Sequence, residues 1–155
     1  MPQNVTPHRI RVPADKQDVF DSLCSSEDAV FEMKAQLMLL AASIGFNEQK
    51  RCPFEKSDEP IRFGVYENLP HFWAVFGLLA ITEAKETSAL SESQFDERVM
   101  VFEEYANGGL EILRSRVTTP PGGNLDLLIT MLSAKRPREA DGDTNLISDF
   151  DLSLD

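Results

Sequence analysis

The sequence predicts a small, mainly α-helical domain that begins with a short β-strand and is followed by a disordered, acidic C-terminal tail. Apolar residues recur every three or four positions in five segments between residues 14 and 133, which is typical of helices with a buried face. Alternation of apolar and polar residues, the pattern of a half-buried strand, is confined to residues 9–13 and 61–65. Residues 135–155 hold three basic and six acidic side chains without a helical period, a composition typical of disorder.

Length and composition favour one soluble domain. A chain of 155 residues, 42% hydrophobic and 26% charged, fits a single globular unit with its own core. We predict a flexible N-terminus at residues 1–8, one helical domain at residues 9–134 and the tail at residues 135–155. The start lacks the apolar segment of a signal peptide, and the longest nearly uncharged apolar stretch, residues 69–82, is shorter than a bilayer span of about 18 residues. We therefore expect a cytoplasmic protein without a membrane segment.

The first third of the chain predicts one strand and two helices. Residues 9–13 alternate basic and apolar side chains and end in a proline, the pattern of a short strand closed before a helix. Apolar residues at helical spacing predict a first helix over residues 14–24. The run at residues 30–44, rich in Leu, Met and Ala and followed by Gly45, predicts a central helix. Its apolar residues occupy more than one face, so we expect it to pack on two sides.

The middle of the chain predicts a loop, a weak strand and a third helix. Residues 47–60 carry two prolines and no period, which indicates a surface loop. Residues 61–65 alternate as a strand would, and a helix beginning near this point is the alternative. Asn68 is positioned to cap a following helix that has Pro70 near its first turn and ends near Glu83.

The strongest periodic pattern predicts a long helix over residues 95–113. Its apolar positions, spaced by three or four residues, are Phe95, Val99, Phe102, Ala106, Leu110 and Leu113. The Gly108–Gly109 pair inside it costs about 1 kcal/mol per glycine relative to alanine. The pair marks either close approach of another helix or a break between two helices, and we favour close approach.

A last short helix is expected over residues 125–133, with Asn124 as its cap. The apolar positions of this helix are Leu125, Leu128, Ile129 and Leu132.

No catalytic motif is present in the sequence. Metalloprotease, hydrolase, Walker and dinucleotide-binding motifs are all absent, so we predict a protein that is not an enzyme and holds no cofactor or metal. His71, at the head of an apolar helix, is expected to have a packing or helix-end role rather than an acid-base one. The adjacent carboxylates Glu103 and Glu104 are expected on a solvated helix face rather than in a cation site. Cys24 and Cys52 lie 28 positions apart without a partner motif, which indicates neither a disulfide nor a zinc site.

Charge restricts any nucleic-acid contact to a local patch. The formal net charge is −11, which argues against a protein that coats DNA through bulk electrostatics. Residues 1–62 hold 8 basic and 10 acidic side chains and form the only region where a basic patch is expected. The DNA-binding candidates in this region are Arg9, Arg11, Lys50, Arg51 and Arg62.

Two interpretations of the N-terminal strand stay open. The order strand, short helix, longer helix in residues 9–45 resembles a ribbon-helix-helix start, in which two chains pair their strands. Such a homodimer would gather Arg9 and Arg11 of both chains for contact with DNA phosphates or bases. The alternative, which we favour, is a solvent-facing edge strand in an intramolecular sheet with residues 61–65.

The tail carries the candidate partner-binding residues. Its apolar side chains stand among aspartates and are Leu146, Ile147, Phe150, Leu152 and Leu154. They form either a short peptide that orders on a partner protein or a merely solubilising end, and the composition does not decide between the two.

Four segments resemble the family called DNA phosphorothioation-associated protein 4, the accessory protein of the Dnd system. They read RIRVPADKQDVFDSL, FEMKAQLMLLAASIGFNEQKR, PIRFGVYEN and DERVMVFEEYANGGLEIL, and they place the resemblance at about residues 9–132. The resemblance implies a bacterial protein encoded beside genes that place sulfur in the DNA backbone or restrict DNA lacking it. It brings no active-site residues, and the tail lies outside it.

We therefore expect a non-enzymatic accessory protein of a DNA modification and restriction system that defends against phage. Its partners would be other proteins of the phosphorothioation system, with local DNA contact as a secondary possibility. A DNA-binding transcriptional regulator of ribbon-helix-helix type is the alternative.

Overall fold

The computed structural model describes residues 8–117 and 123–134. Within these residues the fold is mainly helical, as predicted, and contains one two-stranded antiparallel sheet. The strands are β1 (Arg9–Ile10) and β2 (Ile61–Arg62). The helices are α1 (Gln17–Phe20), α2 (Lys34–Asn47), α3 (Phe63–Glu67), α4 (Phe72–Ala84), α5 (Phe95–Val117) and α6 (Asn124–Ser133).

The core lies between α2, α4 and α5. The most extensive contact is between α2 and α5, and α4 packs on a further side of α5. Phe63, Phe72 and Phe76 form an aromatic cluster with ring centroids 5.2–5.4 Å apart, a spacing at which such pairs add to the energy of apolar burial. The periodic positions Phe102, Ala106, Leu110 and Leu113 of α5 are all fully buried. The predicted long helix and its buried face are confirmed.

The glycine pair of α5 allows close backbone approach. A Cβ added at Gly109 would overlap the carbonyl group of Ala41 in α2, and one added at Gly108 would overlap the carbonyl group of Lys50. Gly45 of α2 shows the reciprocal contact with the Tyr105 carbonyl. The interpretation of Gly108–Gly109 as a close approach, rather than a break, is confirmed because α5 runs unbroken through both glycines.

The first two helices differ from the prediction, one in its start and one in its geometry. The central helix begins at Lys34 rather than at residue 30, because the amides of Val30 and Phe31 donate to the Leu23 carbonyl, at 2.9 and 3.0 Å, and close the preceding turn. The first helix has the predicted extent but mixed geometry, with a 3₁₀ turn before α1 and a π-helical turn over Asp21–Ser25 after it.

The expected caps of two later helices also prove wrong. The Asn68 side chain donates to the Gly64 carbonyl at 3.0 Å and so ends α3 instead of capping α4. The second strand is correspondingly shorter than residues 61–65, because α3 begins at Phe63. Asn124 lies inside α6, after Gly123 with φ +92°, and its buried amide donates to the Ser22 carbonyl at 3.0 Å.

The N-terminal strand pairs within the chain. Arg9 lies opposite Arg62, and Ile10 lies opposite Ile61. Ile10 and Val12 are fully buried, as the alternation predicted. The structure confirms the second interpretation of this strand, an intramolecular sheet, and residues 61 and 62 supply the partner strand.

Candidate interaction surfaces

Arg11 is a structural residue rather than a free surface cation. Its amide donates to Oε1 of Glu103 at 2.6 Å, and its Nε donates to Oε2 at 2.9 Å. The guanidinium also lies over the Phe54 ring, 4.7 Å from the centroid. Glu103 is 3% exposed, so the expectation that it lies on a solvated helix face is wrong. Burial raises the pKa of the Glu103 carboxyl, and the two bonds from Arg11 oppose that rise.

Lys50 and Arg51 are engaged by carboxylates of α4 and α5. Lys50 Nζ lies 3.4 Å from Glu111, while Arg51 pairs with Glu104 and, at 2.8 Å, with Glu83. The Tyr105 hydroxyl donates to Glu83, and this bond, followed by Arg51, lowers the pKa of the Glu83 carboxyl. Burial and Glu83 together raise the pKa of Tyr105 to about 12. Both cations therefore have carboxylate partners within the fold.

Arg9 and Arg62 are the two DNA-binding candidates that keep free, exposed side chains. Neither forms an ion pair among the residues that the structure describes. The five sequence candidates therefore do not form one patch. Arg11, Lys50 and Arg51 are drawn toward glutamates from distant parts of the chain, and only the Arg9–Arg62 pair is brought together by the sheet.

The histidines and cysteines are in structural surroundings. The His8 ring lies 4.2 Å from the Phe95 ring, and His71 precedes α4 with φ +65°. Burial raises the pKa of the Cys24 thiol to about 11, so the reactive thiolate is scarce at neutral pH. Among residues 8–117 and 123–134, no group of three or more metal-ligating side chains is positioned to hold an ion.

Helix α6 exposes an apolar stripe. Leu128 and Met131 face the core, whereas Leu125, Ile129 and Leu132 are 56%, 53% and 44% exposed. These three residues follow one another at spacings of four and three, so they lie along one side of the helix. Of the four apolar positions expected in this helix, only Leu128 is buried, and the other three face solvent.

Two shallow apolar grooves continue from this stripe across α2. The first, of about 200 Å³, lies between α2, α5 and α6 and includes Leu132 in its wall. The second, of about 290 Å³, lies between α2 and the start of α4. Leu40 and Ser43 line both grooves, so the two are continuous. We call the combined area the apolar surface; its members are Leu39, Leu40, Ser43, Leu69, Val75, Ile112, Leu125, Ile129, Met131 and Leu132. The grooves are also lined by Gln36, Asn47 and His71.

A continuous apolar area of this kind is a mark of a binding surface in a soluble protein. Sequence reasoning did not locate it, although one signal was present, because the central helix carries apolar residues on more than one face. One of those faces packs on α5 and the other lines the grooves. The tail residues predicted to bind a partner, Leu146, Ile147, Phe150, Leu152 and Leu154, lie outside the described residues.

Comparison with known proteins gives one match. The model of a family described as DNA sulphur modification system-associated protein 4 matches residues 9–153. The match extends beyond residue 132, where the resemblance was expected to end, and so includes most of the tail. No curated protein and no solved structure matches the sequence. None of the described helices is both long enough and apolar enough to cross a membrane.

Proposed function

The chain belongs to the DNA sulphur modification system-associated protein 4 family, and we propose that it serves that system as a non-enzymatic accessory protein that binds another of the system's proteins. The observation that carries this proposal is the apolar surface of α2, α4 and α6. Exposed Leu and Ile side chains along a helix, continuous with apolar grooves, fit the apolar face of a partner protein.

The chemistry of the potentially reactive groups supports a non-enzymatic role. Glu103 is committed to Arg11, and Glu83 is committed to Arg51 and Tyr105. The Cys24 thiol is held protonated by burial. Each of these groups has a structural explanation for its environment, so none is left over as an acid, base or nucleophile poised for substrate.

Binding to purified components of the system tests the proposal. Each of the other proteins is titrated against the full chain and against an Ile129→Gln variant, whose side chain is in the middle of the exposed stripe. We expect one component to bind, and the variant to bind it at least about fivefold more weakly, because truncating one of the few central residues that dominate an interface costs more than about 1 kcal/mol.

Leu90→Gln is the matched control, because Leu90 is 48% exposed but lies outside the apolar surface. This variant is expected to bind like the natural chain. Failure of every component to bind, or unchanged binding by the Ile129→Gln variant, would contradict the proposal.

The ribbon-helix-helix regulator has less support than the accessory role. Strand β1 pairs with β2 of the same chain, and Arg11 bonds to Glu103, so the four-arginine ribbon lacks both its strand pairing and half of its cations. The ribbon also requires a homodimer, which stays a prediction. Binding of a partner protein by the tail stays a prediction as well.

A further inference from the structure

The Arg9–Arg62 pair places two like charges in the closest register that an antiparallel sheet offers. The Phe63 amide donates to the His8 carbonyl at 2.9 Å, so His8 and Phe63 form a hydrogen-bonded pair. The next pair, Arg9 and Arg62, is then of the non-hydrogen-bonded type, in which opposite Cα atoms are only about 4.5 Å apart. Like charges directly opposite each other destabilise a sheet. The fold nevertheless contains this pair of cations, in a chain whose formal net charge is −11.

Half of the twelve Lys and Arg side chains in the described residues, Arg9 and Arg62 among them, have no carboxylate within 4.0 Å; what sets Arg9 and Arg62 apart is that they lie opposite each other in the sheet. Six basic side chains lie within 4.0 Å of a carboxylate: Arg11, Lys16, Lys34, Lys50, Arg51 and Arg114. Two neighbouring arginines without such a partner, in a chain with 26 acidic residues, form a local anion-attracting spot. An anion bound between them would remove the repulsion that the sheet otherwise carries.

The two arginines open onto a groove with an apolar wall. The groove, of about 440 Å³, lies between the sheet and the start of α2. Its apolar lining is supplied by Met33, Ala35, Pro60, Ile61 and Val65, and its charged lining by Arg9, Lys34, Glu59 and Arg62. Met33 is 41% exposed, and Lys34 is already held by Asp58 at 3.5 Å. The groove thus combines two available guanidinium groups with a wall of methyl, methylene and thioether groups.

We propose that this groove binds a phosphorothioate linkage of duplex DNA. In such a linkage one non-bridging phosphate oxygen is replaced by sulfur, which keeps the negative charge but makes one side of the anion larger, more polarisable and less strongly hydrated. The guanidinium groups match the anion and its remaining non-bridging oxygen, because arginine donates in a geometry suited to phosphate. The sulfur matches the apolar wall, where the Met33 thioether is also polarisable. This inference rests on the family's link to DNA sulphur modification and is independent of the apolar surface.

Binding of short duplexes tests the inference. The probes are two duplexes of one sequence, with and without a single phosphorothioate in each strand, titrated with the full chain at low and moderate salt. We expect the modified duplex to bind about fourfold more tightly, the effect of burying one methylene-sized apolar group. Two cation contacts predict a log–log salt slope of about −1.8.

Variants of the two arginines and of Met33 separate the charge from the sulfur preference. Arg9→Gln with Arg62→Gln should weaken binding of both duplexes at least about tenfold and remove most of the salt slope. Met33→Gln should abolish the preference for the modified duplex while leaving binding of the unmodified one unchanged, and Met33→Leu should retain the preference. The matched charge control is Lys56→Gln with Arg116→Gln, because both side chains are exposed and lie outside the groove.

The melting temperature of the Arg9→Gln and Arg62→Gln double variant should stay the same or rise, since the like-charge pair is removed. Equal affinity for the two duplexes, or loss of binding in the control equal to that in the arginine variant, would overturn the inference. Absence of duplex binding by the natural chain at 50 mM salt, or tighter binding of an RNA of the same sequence, would do so as well. The partner-binding assay depends on Ile129 in α6, whereas the DNA-binding assay depends on Arg9, Met33 and Arg62. Failure of one proposal therefore leaves the other standing.

Discussion

Substitution of Gly109 by alanine should weaken the central helix pair measurably. The added Cβ would overlap the Ala41 carbonyl oxygen and would lie 2.5 Å from its carbon and 2.9 Å from its Cα. Ordinary van der Waals contact begins near 3.4 Å, so α2 and α5 must separate by more than about 1 Å at this point. The obstructing atoms are backbone, and they cannot rotate away as a side chain would.

The magnitude follows from two opposing effects. Overpacking of a close-packed core costs typically 1–3 kcal/mol, and the upper end, about 3 kcal/mol, applies where the clash is with backbone. Replacing glycine by alanine inside a helix returns about 1 kcal/mol. The net loss of about 2 kcal/mol corresponds to a fall of about 4–8 °C in melting temperature for a chain of this size.

Thermal unfolding followed by circular dichroism measures this effect, and Gly64→Ala is the matched control. Gly64 is exposed in α3, and the nearest atom to its added Cβ is Glu67 Oε2 at 4.0 Å. The control should gain about 0.5–1 kcal/mol. If Gly109→Ala were as stable as Gly64→Ala, the close approach of α2 and α5 would be refuted, and with it the account of why this helix contains adjacent glycines.

Three further predictions concern titratable groups. Arg11→Ala should lower the free energy of unfolding in urea by about 2 kcal/mol, because the buried Glu103 carboxylate loses the guanidinium and keeps only the bond from the residue 11 amide. Glu103→Gln should cost less because it removes the buried charge, and equal losses would refute the argument. The pKa of Glu83 is lowered in the fold, chiefly by the Tyr105 hydroxyl. The contribution of Glu83 to stability is therefore complete above the unfolded pKa near 4.5 and is lost as the pH falls through the folded pKa. Glu83→Gln should flatten the acid side of a plot of melting temperature against pH, and an unchanged acid side would contradict the direction of the pKa shift. The Cys24 thiol, whose pKa is raised to about 11, should react with a maleimide at pH 7.5 far more slowly than an unfolded control peptide; equal rates would show that the thiol is not shielded.

Local sequence pattern was sufficient where the determining interactions are close in the chain. The long helix α5 follows from six apolar positions that share one face, and Gly108–Gly109 indicated a close approach because glycine is otherwise costly inside a helix. The burial of Ile10 and Val12 followed from the two-residue period of a strand. In each case the pattern depends only on the geometry of a single element.

Pattern was insufficient where the determining partner is distant. Arg11 and Glu103 are 92 positions apart, and nothing in either local sequence indicates that one buries the other. The same holds for Arg51 and Glu104, 53 positions apart. Three of the five DNA-binding candidates therefore have carboxylate partners that the sequence did not indicate, since a sequence shows that a cation is present but not whether a carboxylate reaches it.

The exposed face of α6 shows a second limit. With apolar residues at six of its ten positions, the helix can present more than one apolar face to the core. Which face packs depends on how the helix sits against α5 and on the buried Asn124 amide that anchors its start. Leu128 and Met131 are consequently buried, and Leu125, Ile129 and Leu132 remain available for a partner.

Hydrogen–deuterium exchange of the full chain, with and without the purified system protein that binds it, tests the accessory role most directly. Amides near the ends of a short peripheral helix exchange through local opening, and a bound partner slows that opening. We predict slower exchange in α6 and in the outward turns of α2, with no change in β1 and β2. Slower exchange confined to other elements, or no change anywhere with saturating partner, would contradict the assignment of partner binding to the apolar surface.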